Sequence, residues 1–307
     1  MKPFTSVILS ILILSIFTAN GFSMTRSLKT DPAIIIVAFG TTTKASSTYD
    51  FFDAQLKKEL PDKYKNININ WAFTSSIVRE RVNEKREKEG KSDRMLSLAQ
   101  VLANLMDQGY KKVAIASLHI FPGQEYEEMV QVIDAFKTLG LNIHYGGTLL
   151  SHWSDFPTVL KSLEPDFLTP EQGCNIIIAH GTPQTSNYSN NTYLGLDRYL
   201  SSKYKNVYIG TISGILTREQ LMENIKRCKV KKIRVIPFLY VAGDHVVNDA
   251  MGEKPDKNGN ISWKMELEKN GFTVESSDDV FKGLGYYPDI NRIFITQLVK
   301  TLEGFDY

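Results

Sequence analysis

Cysteine is scarce in this chain: Cys174 and Cys228 are the only two among 307 residues. Neither has a second cysteine at metal-binding spacing, so a thiolate metal site is not expected, and one pair is no disulfide framework. We read them as two buried core thiols. An excess of charge of either sign is missing too. With 36 basic and 34 acidic side chains the formal charge is +2, which argues against a polyanionic partner, so nucleic acid is not expected. The phosphate loops GxxxxGKS and GxGxxG are absent, as is the nucleophile elbow GxSxG. Nucleotide-dependent enzymes and serine hydrolases lose support accordingly.

The apolar run at the N-terminus, Val7 to Phe17, has only eleven residues, against about 20 for a helix that spans a bilayer. Lys2 precedes it, and the small residues Ala19, Gly21 and Ser23 come after it, which is the pattern of a cleaved export signal over residues 1–23. The expected mature chain is exported to the periplasm, keeps no stable membrane span, and has 307 − 23 = 284 residues.

From residue 33 onward, short apolar runs alternate with amphipathic segments. AIIIVAF (33–39), residues 67–73, KKVAIASLHIF (111–121) and 141–150 read as strands, separated by helices over 49–60, 75–89, 96–106 and 124–139. The second half repeats the plan: strands at 175–180, 207–213, 232–241 and 272–275, with helices between them and a closing helix over 290–302. This pattern predicts an α/β fold of two similar lobes with a cleft between them, each lobe a mainly parallel sheet flanked by helices. The expected lobes are 31–155 and 156–307, the closing helix belonging to the second.

The two halves also match in detail. IIIVAFGT (34–41) aligns with IIIAHGT (176–182), so Phe39 meets His180 and Gly40 meets Gly181. LHIFPGQE (118–125) aligns with FLYVAGDH (238–245), so Gly123 meets Gly243 and Glu125 meets His245. Such an internal duplication puts His180 and His245 at equivalent strand-to-helix junctions of one lobe, at the carboxyl ends of strands, where open α/β sheets bind ligands. In FLYVAGDHVVNDAM (238–251), Gly243 permits a tight turn, Asp244 opens a helix, and His245, Asn248 and Asp249 share one helical face. Two imidazoles with a carboxylate suit cobalt, iron, nickel or zinc and leave coordination positions open for a second ligand. His119 lies near a strand end of the first lobe, and Glu125 comes soon after it, so that lobe is expected to contribute a wall of the cleft.

SLHIFPGQEYEEM, IIIAHGT and LYVAGDHVVNDAM, together with AFTSSIVRE (72–80), resemble the anaerobic cobalt chelatases, the sirohydrochlorin cobaltochelatases related to ferrochelatase. The resemblance covers nearly all of residues 33–303. It implies two α/β lobes with a tetrapyrrole between them, an enzyme that inserts Co(II), with Fe(II) or Ni(II) as alternative substrate metals, and His180 and His245 as the essential histidines. It allows an assembly of identical subunits. Family members usually place a metal-binding glutamate where this chain has Ser213, and often a further histidine where it has Gln184. Asp249 or Glu125 is then expected to supply the carboxylate. Arg79 is expected to meet an acidic substituent of the ring, with His119, Glu125, Asp244 and Asp249 also contacting substrate. The other reading of the same sequence is an exported, non-catalytic protein that binds haem, another tetrapyrrole or free metal.

Overall fold

Two runs of β-branched residues set the architecture. Ala33–Ala38 (β1) and Cys174–Ala179 (β5) are buried at every position, as befits central strands of sheets covered on both faces. The computed structural model describes residues 27–184, 188–275 and 283–306, so the expected export signal, residues 1–23, lies outside the described residues. Around β1, Ile69–Phe73 (β2), Lys112–Ser117 (β3) and Asn142–Tyr145 (β4) pair in parallel in the order β2-β1-β3-β4. Around β5, Val207–Thr211 (β6), Lys232–Pro237 (β7) and Thr273–Glu275 (β8) pair in the equivalent order, β6-β5-β7-β8. The expected α/β fold of two similar parallel-sheet lobes is therefore present.

The helices are Ser47–Glu59 (α1), Ser76–Lys88 (α2), Leu98–Asp107 (α3), Gln124–Thr138 (α4), Asp155–Leu163 (α5), Tyr188–Lys203 (α6), Arg218–Ile225 (α7), Trp263–Lys269 (α8) and Pro288–Glu303 (α9). Their starts are chemically marked. Ser97 with Gln100, and Thr217 with Gln220, form capping boxes on α3 and α7, satisfying backbone donors that the first helical turn leaves unpaired. The strand period then sorts the core. Ile34, Ile36 and Ala38 join a layer that continues into the second lobe, while Ala33, Ile35 and Val37 turn to the opposite face, under α3 and α4.

Three expectations are corrected. The closing helix α9 does not stay with the second lobe: it packs on β3, β4 and α1 of the first. Its buried stripe, Ile290, Phe294, Leu298 and Leu302, covers that face, and His144 stacks on Phe305 just beyond it at 4.2 Å. Cys174 and Cys228 are not thiols but a disulfide. Cys174 opens β5 and Cys228 lies just ahead of β7, so pairing β5 with β7 brings residues 54 apart in sequence to a Cα separation of 6.1 Å. Strands β3 and β7 are also shorter than their apolar runs. β7 ends at Pro237, and Leu239 and Tyr240 turn their carbonyls to the backbone of Leu284 and Gly285 instead.

Candidate functional site

His180 comes directly after β5, where the chain leaves the core and becomes exposed. Parallel pairing persists one step past the strands: the amide of Ser213, just beyond β6, donates to the carbonyl of His180 at 2.8 Å. Gly181 has φ +72°, and a Cβ there would lie 2.7 Å from the Ser213 carbonyl. Only glycine fits so close a turn with that dihedral. Its own carbonyl lies 2.7 Å from Nδ1 of His180. A carbonyl only accepts, so Nδ1 donates and Nε2 keeps its lone pair.

His245 reaches the same state by another route. It opens a six-residue π-helical turn, His245–Ala250, where the sequence pattern implied an ordinary helix. In this turn Asp249 Oδ2 lies 2.6 Å from His245 Nδ1, and a carboxylate so placed fixes the tautomer and orientation of an imidazole. Nε2 is again the free nitrogen. Asp244 does not cap the turn: it has helical dihedrals, makes no capping bond, and accepts from Asn248 Nδ2 at 2.7 Å. Gly243 is not among the glycines with positive φ, so the turn there does not depend on glycine's conformational freedom. The two imidazoles lie edge to face, with ring centroids 4.8 Å apart and an interplanar angle of 72°.

The structure thus brings together His180, His245, Asp249 and the backbone of Ser213, with Asp244 beside them. The other expected residues make contacts of their own. Arg79, expected to meet substrate, turns Nη1 back onto the carbonyls of Phe73 and Thr74 at 2.6 and 2.8 Å, where it secures the end of β2. His119 is held at Nδ1 by Ser117 Oγ at 2.7 Å, lies edge-on to Tyr126, and has its Nε2 shut off from solvent without a partner. Burial lowers its pKa to about 4, so it is neutral near pH 7. Glu125 stands close enough to Tyr193 of α6 for its charge to be felt by that buried phenol. Neither Asp249 nor Glu125 completes a three-donor set: among the described residues no cluster of three or more His, Cys, Asp or Glu could hold a metal ion.

One residue was missed in the sequence. Asn190, near the start of α6 and buried, donates Nδ2 to the carbonyls of Thr182 and Gln184 at 3.2 and 3.1 Å. It thereby holds the loop that carries Gly181. An Asn pair just after the HGT turn was the only available signal, and side-chain amides in loops are too common for it to stand out.

Comparison with known proteins identifies the family and supports the fold. The profile of the family described as "Cobalt chelatase (CbiK)" matches residues 32–303. A sirohydrochlorin cobaltochelatase of Salmonella typhimurium is 27% identical over 274 residues, covering 88% of this chain and 96% of its own. Sirohydrochlorin cobaltochelatase CbiKC of Nitratidesulfovibrio vulgaris is 27% identical over 283 residues, covering 90% and 93%. Among solved structures, the sirohydrochlorin chelatase SirB of Bacillus subtilis subspecies spizizenii in complex with cobalt superposes with a TM-score of 0.54 at 14% identity, covering 89% of this chain and 96% of that one. At that identity the likeness speaks for the fold.

Proposed function

The chain belongs to the cobalt chelatase (CbiK) family, and from that premise we propose that it is a sirohydrochlorin cobaltochelatase that inserts Co(II) into the tetrapyrrole between its lobes. The observation that carries this reading is the adjacent pair His180 and His245, each with Nδ1 occupied and Nε2 free. Metal insertion requires two pyrrole N–H protons to leave while the metal sheds water, and a neutral imidazole serves as ligand or as base for those steps. Asp249 is a positioning residue: it acts through His245. The substrate ring itself offers four nitrogens to the incoming ion. Two imidazoles without a carboxylate at Ser213 hold the ion loosely beforehand, which favours handing it over. Fe(II) and Ni(II) suit the same donors and belong to the same test.

We further propose that the mature protein begins after residue 23 and works in the periplasm. The buried disulfide Cys174–Cys228 supports this, since such bonds persist in oxidising compartments. No helix among the described residues is long and apolar enough to cross a membrane.

The deciding experiment incubates purified mature protein with sirohydrochlorin and Co(II), Fe(II) or Ni(II) in turn, and tracks the absorbance of the metallated ring against the uncatalysed rate. Acceleration with at least Co(II) is expected, and none with any metal overturns the proposal. A second reading, a non-catalytic carrier of haem, another tetrapyrrole or metal, rests on one specific observation: Ser213 stands where the family resemblance leads one to expect a metal-binding glutamate. Stoichiometric binding of a metallated ring, released unchanged and without turnover of the metal-free ring, would establish it instead.

A further inference from the structure

β1 is fully buried from Ala33 to Ala38, yet the next residue, Phe39, is 46% exposed. A single exposed apolar side chain is ordinary on a protein surface, so what singles out Phe39 is its place at the carboxyl end of a central strand. The backbone holds it there. The Phe39 carbonyl accepts from Ser75 N at 3.2 Å, and Gly40, at φ +101°, turns the chain so closely over Val78 that a Cβ would sit 3.0 Å from it. The loop then crosses to the other lobe: Thr43 Oγ1 donates to the Ala242 carbonyl at 3.4 Å, and Thr41 Oγ1 lies 3.7 Å from where Gly243 would carry a Cβ. Phe39 and His245 therefore stand two residues either side of a direct contact between the lobes. By the internal duplication Phe39 also takes, on the first lobe, the place that His180 takes on the second. Two further exposed aliphatic side chains lie at the same carboxyl edges of the sheets, Ile77 in the first turn of α2 and Ile215 two residues past Ser213.

We propose that Phe39 is the stacking residue for the planar conjugated macrocycle, pressing the face opposite the one that His180 and His245 approach, with Ile77 and Ile215 extending the apolar contact. This rests on the tetrapyrrole reading above and adds to it the residue that holds the ring within reach of the two Nε2 atoms. The chemistry is complementary: the ring is acidic at its periphery but apolar and polarisable on its faces, and an aromatic side chain stacks on such a face without needing a charge. Phe39 touches substrate only. It has no donor for the metal, so ring affinity and metal affinity respond to it differently.

The test measures both in wild type, Phe39→Ala, Phe39→Leu and Phe39→Tyr. Binding of metal-free sirohydrochlorin is read from its absorbance shift, and binding of Co(II) alone by calorimetry. Phe39→Ala weakens ring binding about 10-fold while Phe39→Tyr stays near wild type. Co(II) affinity is the same in all four, which shows that the variants are folded at the site. Equal ring affinity in wild type and Phe39→Ala overturns the proposal and leaves the chelatase reading standing. So does full recovery in Phe39→Leu, because shape alone would then suffice. Wild-type protein that binds no ring at all overturns the chelatase reading, and this proposal with it.

Discussion

The two lobes share one strand order but carry different chemistry at the ends of the corresponding strands. Beyond β1 stands Phe39, beyond β5 His180; at the start of α4 stands Glu125, and at the equivalent place past β7 His245. In the first lobe His119 has its Nε2 shut off from solvent and Arg79 bonds backbone carbonyls. The second exposes two imidazoles and fixes both by hydrogen bonds at Nδ1. Residues just past a buried parallel strand contribute little to the core, so a duplicated fold is free to diverge there without losing stability. At these ends the second lobe carries imidazole donors, where the first carries the exposed Phe39.

The largest effect that would break this contrast comes from removing an imidazole. His245→Ala should lower the rate of metal insertion on the order of 10³-fold, within the usual range for losing a group that handles protons in the reaction, while Glu125→Ala in the equivalent place of the first lobe should cost far less. Parallel rate measurements decide it, and equal losses would dissolve the asymmetry.

The disulfide belongs to the second lobe alone and lies at the strand ends remote from His180. Closing a loop across a sequence separation of 54 stabilises by about 4 kcal/mol in the chain-entropy account. A Cys174→Ala, Cys228→Ala double variant should lose roughly that much in urea unfolding yet keep its insertion rate where it remains folded. A matching loss of rate would show that the two ends of the second lobe are coupled.

His119 gives the first lobe a pH signature. Burial depresses its pKa to about 4 in the folded protein, against about 6.5 in an unfolded chain. The unfolded chain therefore takes up the proton first as pH falls. Stability is fully present above pH of about 6.5 and declines down to about 4, by up to about 3 kcal/mol. In His119→Gln this part of the decline should vanish in unfolding curves taken across that window. An unchanged decline would assign the acid sensitivity elsewhere.

The smallest effect sharpens the second lobe's side of the contrast. Asp249→Asn keeps the shape beside His245 but removes the charge that orients it, and Co(II) affinity measured by calorimetry should fall about tenfold. No change would mean that the π-helical turn alone suffices to aim the ring.

Much of this molecule was legible in its sequence because the signals are local. Runs such as AIIIVA and CNIIIA announce buried parallel strands, and alternation with amphipathic helices implies the sheets. The repeat of FGT as HGT and of PGQE as AGDH placed His180 and His245 at equivalent strand ends. The π-helical turn was not legible, since His245, Asn248 and Asp249 fit an ordinary helix equally well.

By itself the sequence determined the fold class, the duplication, and the two histidines at the carboxyl edge of the second sheet, since burial period and chain order suffice for these. Tertiary structure alone decided which nitrogen of each imidazole is free, because that depends on the Gly181 carbonyl and the Asp249 carboxylate brought up to Nδ1. It also decided that Arg79 turns inward, that Cys174 meets Cys228, and that α9 crosses back to cover β3 and β4. Each of these is a meeting of segments far apart in the chain or a choice among several nearby partners, and neither leaves a periodicity for the sequence to display.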